Sequence, residues 1–277
     1  MEQINLINTN ILSISLEELL KQLKFGVLVT PNVDHIMQLQ KNREFYLAYQ
    51  SANWIICDSK ILQLASSFLR QPFKEVIPGS CLLPAYYNYH RHDEDVKIFL
   101  LGARPGVASR AMDNINRKVG RKMVVGAYSP SLDFDNDSEE NEAIVEQINA
   151  SGATVLVVGL GAPKQETWIM NHKKQLKTVN LFMALGATID FEAGSRKRAP
   201  MMFRKLCLEW LYRLIQEPTR LWKRYLVDDL PFFWYLILQK LGLYKNPFET
   251  RQPSLLNYYP KPNLLPKSRQ RVIEIEI

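Results

Sequence analysis

An apolar run that passes through two glycines into a helix start, Val157-Val158-Gly159-Leu160-Gly161-Ala162-Pro163-Lys164-Gln165-Glu166, carries the strongest chemical signal in the sequence. Glycine lets backbone approach a ligand closely, and proline suits a first helical turn. The N–H groups of a new helix attract an anion such as a diphosphate. An ordinary strand-to-helix turn has the same spacing. The run is neither a Walker A loop, which ends G-K-[ST], nor a G-x-G-x-x-G fingerprint. Lys164 offers charge to a phosphate and Gln165 a hydrogen bond to a sugar or phosphate oxygen, unless both belong to a solvated first turn.

Other groups stand at comparable places. Leu101-Gly102-Ala103-Arg104-Pro105-Gly106 also joins a strand to a helix, with Arg104 as a candidate for nucleotide contact. Thr30-Pro31-Asn32-Val33-Asp34-His35 crowds hydroxyl, amide, carboxylate and imidazole groups at a strand end. Asn32 suits a helix cap there and Asp34 the first turn, while Thr30 is best placed to touch a ligand. Asp58 follows Trp54-Ile55-Ile56-Cys57, and two roles remain open for it. It can take the proton of an attacking hydroxyl, or it can cap the helix that begins near Lys60. Asp133-Phe134-Asp135-Asn136-Asp137 has the D-x-D spacing of divalent-metal sites, but its Ser-, Asn- and acid-rich setting reads as solvated loop and cap. His90 and His92 lie in a charged loop that reads as exposed, so no metal site is expected.

These residues need elements to position them. Val27–Val29, Trp54–Cys57, Val96–Leu101, Met123–Val125, Thr154–Val158 and Leu181–Leu185 are strand-length apolar runs of the kind buried on both faces of a parallel sheet. Helix-like stretches lie between them at Asp34–Ala52, Gly106–Val119, Ser138–Ile148 and Lys164–Leu176. The alternation predicts a doubly wound, mostly parallel α/β sheet, Rossmann-like, with ligands bound beyond the carboxyl ends of its strands. After Gly194 the rhythm changes to an amphipathic region over Pro200–Tyr225 and an aromatic stretch over Leu230–Leu243, too short for the roughly 20 residues of a spanning helix.

The 277 residues are 47% hydrophobic and 23% charged, which excludes a disordered chain. Cys57, Cys81 and Cys207 form no framework, and residues 1–15 do not read as a secretory signal, so a reducing cytoplasmic setting is expected. The net charge of +7 sits between Arg196 and Arg224, where nine bases face two acids; the remainder is neutral. A local anionic partner follows, whether phosphate-bearing substrate, anionic lipid or nucleic acid.

Together the segments resemble the WecG/TagA/CpsF family, also called glycosyltransferase family 26. The matching stretches are Thr30–His35, Cys57-Asp58-Ser59, Pro78-Gly79-Ser80, Gly159–Glu166, and Gly186–Gly194 followed by Lys197-Arg198-Ala199-Pro200. Leu208–Leu214, Gln216-Glu217-Pro218 and Arg220–Tyr225 extend the likeness. The resemblance implies inverting, cofactor-free and metal-independent transfer from a UDP-sugar, typically UDP-N-acetylmannosamine or its uronic acid, to an undecaprenyl-diphosphate-linked sugar. It makes Asp58 the general base and Thr30 and Gln165 active-site contacts. It makes the basic segment a membrane appendage that helps complete the site.

An arginine frequent just before the glycine matched by Gly79 is missing, since Glu75-Val76-Ile77-Pro78 stands there. Lys164, Arg104 and the run Arg196-Lys197-Arg198 are the candidate replacements, and Arg198 is singled out for test. The expected organisation is an α/β catalytic domain over 1–195, a basic amphipathic membrane-association appendage over 196–245, and a poorly ordered tail over 246–277. A peripheral position on the inner face of the plasma membrane and self-association complete the expectation. A nucleotide- or nucleic-acid-binding protein without transferase activity and an NAD-dependent oxidoreductase are the alternatives; the nucleic-acid reading leaves Thr30, Asp58 and Gln165 without a common purpose.

Overall fold

The computed structural model describes residues 2–196, 199–200, 202–203 and 209–248. All six apolar runs form strands of one sheet: β3 (Gly26–Val29), β4 (Trp54–Ile55), β5 (Ile98–Gly102), β6 (Val124–Tyr128), β7 (Val155–Gly159) and β8 (Leu181–Ala184). Their order is β4-β3-β8-β7-β5-β6, and every pairing is parallel. Both faces are covered, which is why the runs lack polar alternation. Val27, Val29, Leu156, Val158, Phe182 and Ala184 join the core on one side. Leu28, Val155, Val157, Leu181 and Met183 join the core on the other.

The crossovers are α2 (Val33–Gln38), α3 (Arg43–Gln50), α4 (Lys60–Phe68), α5 (Gly79–Tyr89), α6 (Val107–Val119), α7 (Ser138–Ser151), α8 (Lys164–His172) and α9 (Thr188–Glu192). The single helix expected over Asp34–Ala52 is two. The chain leaves helical pairing after Leu39, and the Asn42 side chain restarts it by accepting a bond from the Phe45 N–H at 3.0 Å. Residues 2–22 add what the apolar runs did not reveal, an antiparallel hairpin of β1 (Gln3–Leu6) and β2 (Thr9–Leu12) followed by α1 (Leu16–Gln22). The hairpin meets the sheet edge through a bridge between Leu12 and Ile56.

Beyond the sheet lie α10 (Glu209–Gln216), α11 (Pro218–Lys223), a π-helical segment (Arg224–Asp228) and α12 (Pro231–Lys240). Helix α12 is docked. Its Gln239 side chain accepts from the Ile7 N–H at 2.8 Å and donates to the Asn5 carbonyl at 2.9 Å. The Tyr244 hydroxyl donates to Gln40 at 2.6 Å. Within the aromatic stretch, Phe232 is fully buried in the core, whereas Phe233 and Trp234, like Trp222 before them, stay at least half exposed. Of the expected tail, 246–248 are described and 249–277 lie outside the described residues.

Candidate active site

A cleft of about 300 Å³ opens at the carboxyl ends of β4, β3, β8 and β7. Its lining brings together Thr30, Asn32, Asp58, Gly79, Gly159, Gly161 and Gln165 from loops spread over more than a hundred residues. A parallel sheet does this because all its strands end on one rim.

Each side chain has a local cause. Asn32 caps α2, accepting from the His35 N–H at 3.2 Å, and Thr30 lies buried between that cap and β3. After β4 the Asp58 N–H donates to the Pro31 carbonyl at 3.3 Å, which fixes its loop against the Thr30 loop. Helix α4 is capped by Ser59, whose hydroxyl accepts from the Ile61 N–H at 3.2 Å. The capping role open to Asp58 in the sequence therefore falls to its neighbour, and Asp58 lines the cleft.

The glycine turn is set by close approach. A Cβ on Gly159 would lie 2.7 Å from the Gly186 carbonyl oxygen and 2.9 Å from Ile189, so the β7 and β8 loops touch only because that atom is missing. Gly161 adopts φ +82° before α8 begins. On α8 the buried Gln165 amide is held at both ends: its Oε1 accepts from the Gly186 N–H at 3.0 Å, and its Nε2 donates to Glu166 Oε1 at 2.8 Å. Gln165 thus shapes the floor by tying α8 to the β8 loop.

Two sequence candidates lie elsewhere. Lys164 pairs with Asp135 and stands over the Phe134 ring at 5.6 Å, outside the cleft lining. Asp137, in the same acidic stretch, caps α7 by accepting from the Glu140 N–H at 2.9 Å. Arg104 is exposed one strand further along, after β5. Arg198 lies outside the described residues. The described cleft cations are Arg196 and Arg224. Arg196 pairs with Glu217 at 2.8 Å. Arg224 reaches Asp34 at 3.2 Å and Asn32 Oδ1 at 3.4 Å, while its Nε is buried without a partner among the described residues. The π-helical segment thus closes one side of the cleft. Its 192-residue separation from Asn32 leaves no local signal for this. Gly186-Ala187-Thr188, also in the lining, follow β8, so the rule applied to the other strand ends would have found them.

Behind the lining, and reaching it through His35, lies a buried set that hydropathy alone does not reveal. Burial pushes the Glu166 carboxyl up to about 8, against the lowering effect of its hydrogen bonds from Gln165 and backbone, and its Oε2 has no partner among the described residues. Burial, aided by Arg224, pushes His35 down to about 3. The two approach to 3.9 Å, within ion-pair range, yet with those shifts both are neutral near pH 7 and the contact is not a salt bridge. Burial likewise raises the Cys57 thiol to about 12, which makes it inert. Among the described residues no group of three histidine, cysteine or acidic side chains is arranged to hold a metal ion.

Comparison with known proteins agrees with this geometry. The family described as "Glycosyl transferase WecG/TagA/CpsF family" matches residues 4–246. Proteins of Staphylococcus aureus strains MW2 and NCTC 8325 are each 30% identical over 220 residues, covering 76% of this chain and 78% of theirs. Both are named N-acetylglucosaminyldiphosphoundecaprenol N-acetyl-beta-D-mannosaminyltransferase.

Proposed function

The chain belongs to the WecG/TagA/CpsF family of glycosyl transferases, and from that premise we propose that it moves N-acetylmannosamine or a related hexose or uronic acid from a UDP-sugar to an undecaprenyl-diphosphate-linked sugar. Membership sets aside the oxidoreductase and the non-enzymatic nucleic-acid-binding readings. The observation that carries the proposal is the shared cleft of Asp58 and the Gly159–Gln165 turn. A carboxylate and a glycine-rich anion cradle facing one space are what a direct displacement needs.

In that displacement an acceptor hydroxyl attacks the anomeric carbon, Asp58 takes its proton, a new glycosidic C–O bond forms, and the bond to UDP breaks. One displacement inverts the anomeric configuration. Negative charge grows on the departing diphosphate, and preorganised donors are most effective where charge develops. Arg224 and Arg196 supply fixed charge, and the first turn of α5 at Gly79 and Ser80 supplies backbone N–H groups. Of the candidate cations in the sequence, Arg196 lines the cleft, whereas Lys164 and Arg104 do not.

The acceptor's prenyl chain calls for a membrane surface, and we place the enzyme peripherally on the inner leaflet. No helix among the described residues is long and apolar enough to cross a bilayer. Trp222 is exposed within the segment that carries the basic excess, and Leu226, Leu230, Phe233 and Trp234 are exposed just after it. Apolar insertion together with about 1 kcal/mol per basic side chain gives reversible docking. The test is UDP release from a panel of UDP-sugars with a synthetic prenyl-diphosphate sugar as acceptor. Acceptor-dependent release from one of them is expected. No release from any would overturn the proposal.

A further inference from the structure

We propose that His35 is a substrate-contacting and specificity-determining residue, donating its Nε2–H to an oxygen of the transferred sugar; this rests on the donor-binding reading of the cleft given above. His35 lines the cleft from the first turn of α2. Its Nδ1 lies 2.5 Å from the Tyr49 hydroxyl oxygen on α3. The ring packs edge-on against Phe45 at 5.6 Å and Tyr49 at 6.1 Å, so it cannot turn without displacing two buried aromatics.

The tautomer follows from its partners. Tyr49 is fully buried, and burial together with Glu166, Asp58 and Asp34 pushes its ionisation well above the usual 10, so the phenol keeps its proton. Among the described residues Nδ1 is the one hydrogen-bond partner of that hydroxyl, so the phenol proton would be left unpaired unless it is donated to Nδ1, which then accepts. Glu166 Oε1 stands 3.9 Å from Nδ1, too far to compete. The imidazole is neutral at any working pH, because burial and the Arg224 charge oppose a second proton. Its single proton is therefore on Nε2, the nitrogen turned away from α3 and without a hydrogen-bond partner among the described residues.

The choice of sugar over diphosphate follows from what else faces the cleft. Arg196, Arg224 and the backbone N–H groups of the first turn of α5 already meet a diphosphate, which leaves the neutral imidazole N–H to the sugar. A neutral imidazole N–H suits a hydroxyl or amide oxygen. A site built to bond such a group discriminates against sugars that lack it, because its donor would be left unpaired.

The test titrates UDP and the best-used UDP-sugar separately into wild-type protein, His35→Phe and His35→Gln by calorimetry, and assigns the wild-type tautomer from histidine ring 15N shifts. Expected are an Nε2–H tautomer, UDP affinity unchanged within twofold in His35→Phe, UDP-sugar affinity about tenfold lower, and recovery in His35→Gln, whose amide nitrogen reaches the same place. An Nδ1–H tautomer overturns the assignment, as does equal loss for UDP and UDP-sugar or no loss at all. The wild-type spectrum decides even if His35→Phe does not fold. Wild-type protein that binds neither ligand overturns the functional reading itself, whereas normal wild-type binding with an indifferent His35→Phe overturns this inference alone.

Discussion

Replacing Glu166 with glutamine should change how stability depends on pH more than it changes stability at low pH. The buried Glu166 carboxyl holds its proton up to about 8 in the folded protein, against an ordinary value of 4.5. Across that interval the unfolded chain releases a proton that the folded chain keeps. The folded state binds more protons there, so this group's contribution to stability is present at and below pH 4.5 and is lost as pH rises through 8. One proton is worth about 1.4 kcal/mol per pH unit. Glutamine keeps the shape, can accept from Gln165 Nε2, and does not titrate. The stability of Glu166→Gln relative to wild type should therefore rise by about 3 kcal/mol between roughly pH 5.5 and 7.5. Asp229, raised to about 7 by burial and by Asp34, titrates in both proteins and cancels in the difference. His35 runs the other way: pushed down to about 3, it costs stability as pH falls from 6.5, and it also cancels. Urea unfolding of both proteins at three pH values reads the gap. Parallel curves would refute the argument, because they would mean that Glu166 ionises in place.

Three further outcomes are expected. Gly159→Ala forces a Cβ to within 2.7 Å of the Gly186 backbone oxygen, so the β7 and β8 loops must part; a loss of about 1–3 kcal/mol should appear in thermal unfolding, and wild-type stability would contradict the close approach. Arg224→Ala removes a cleft cation bonded to Asp34 and Asn32, and UDP affinity measured by calorimetry should fall about 10- to 100-fold, whereas unchanged affinity would remove Arg224 from diphosphate binding. Phe233→Glu combined with Trp234→Glu alters side chains that are 50% and 61% exposed, so the melting temperature should hold while sedimentation with anionic vesicles drops at least about tenfold; undiminished sedimentation would place membrane contact elsewhere.

The central sheet was legible because its strands are apolar without interruption, the signature of burial on two faces. The hairpin was not, because Ile4, Leu6 and Ile11 alternate with polar residues in four-residue pieces that turn at Ile7 and Asn8 without a glycine. The rim rule for parallel sheets brings Thr30, Asp58, Gly159 and Gln165 to one space from the sequence alone. Direction within a loop is harder to read. Whether Lys164 turns to the cleft or to Asp135 depends on how the 133–137 loop packs, and whether Asp58 or Ser59 caps α4 depends on a single backbone turn. The resemblance implies that the basic segment helps complete the site, but nothing local singles out Arg224 as its cleft residue, because its position is set by α12 docking on the hairpin and α2.

The most direct test of the whole account is Asp58→Asn in the acceptor-dependent assay, with UDP affinity measured on the same preparation. The substitution keeps size and removes the proton acceptor. Turnover should fall by about a hundred- to ten-thousandfold while UDP affinity stays near that of the wild type. Near-normal turnover by the asparagine variant would contradict it.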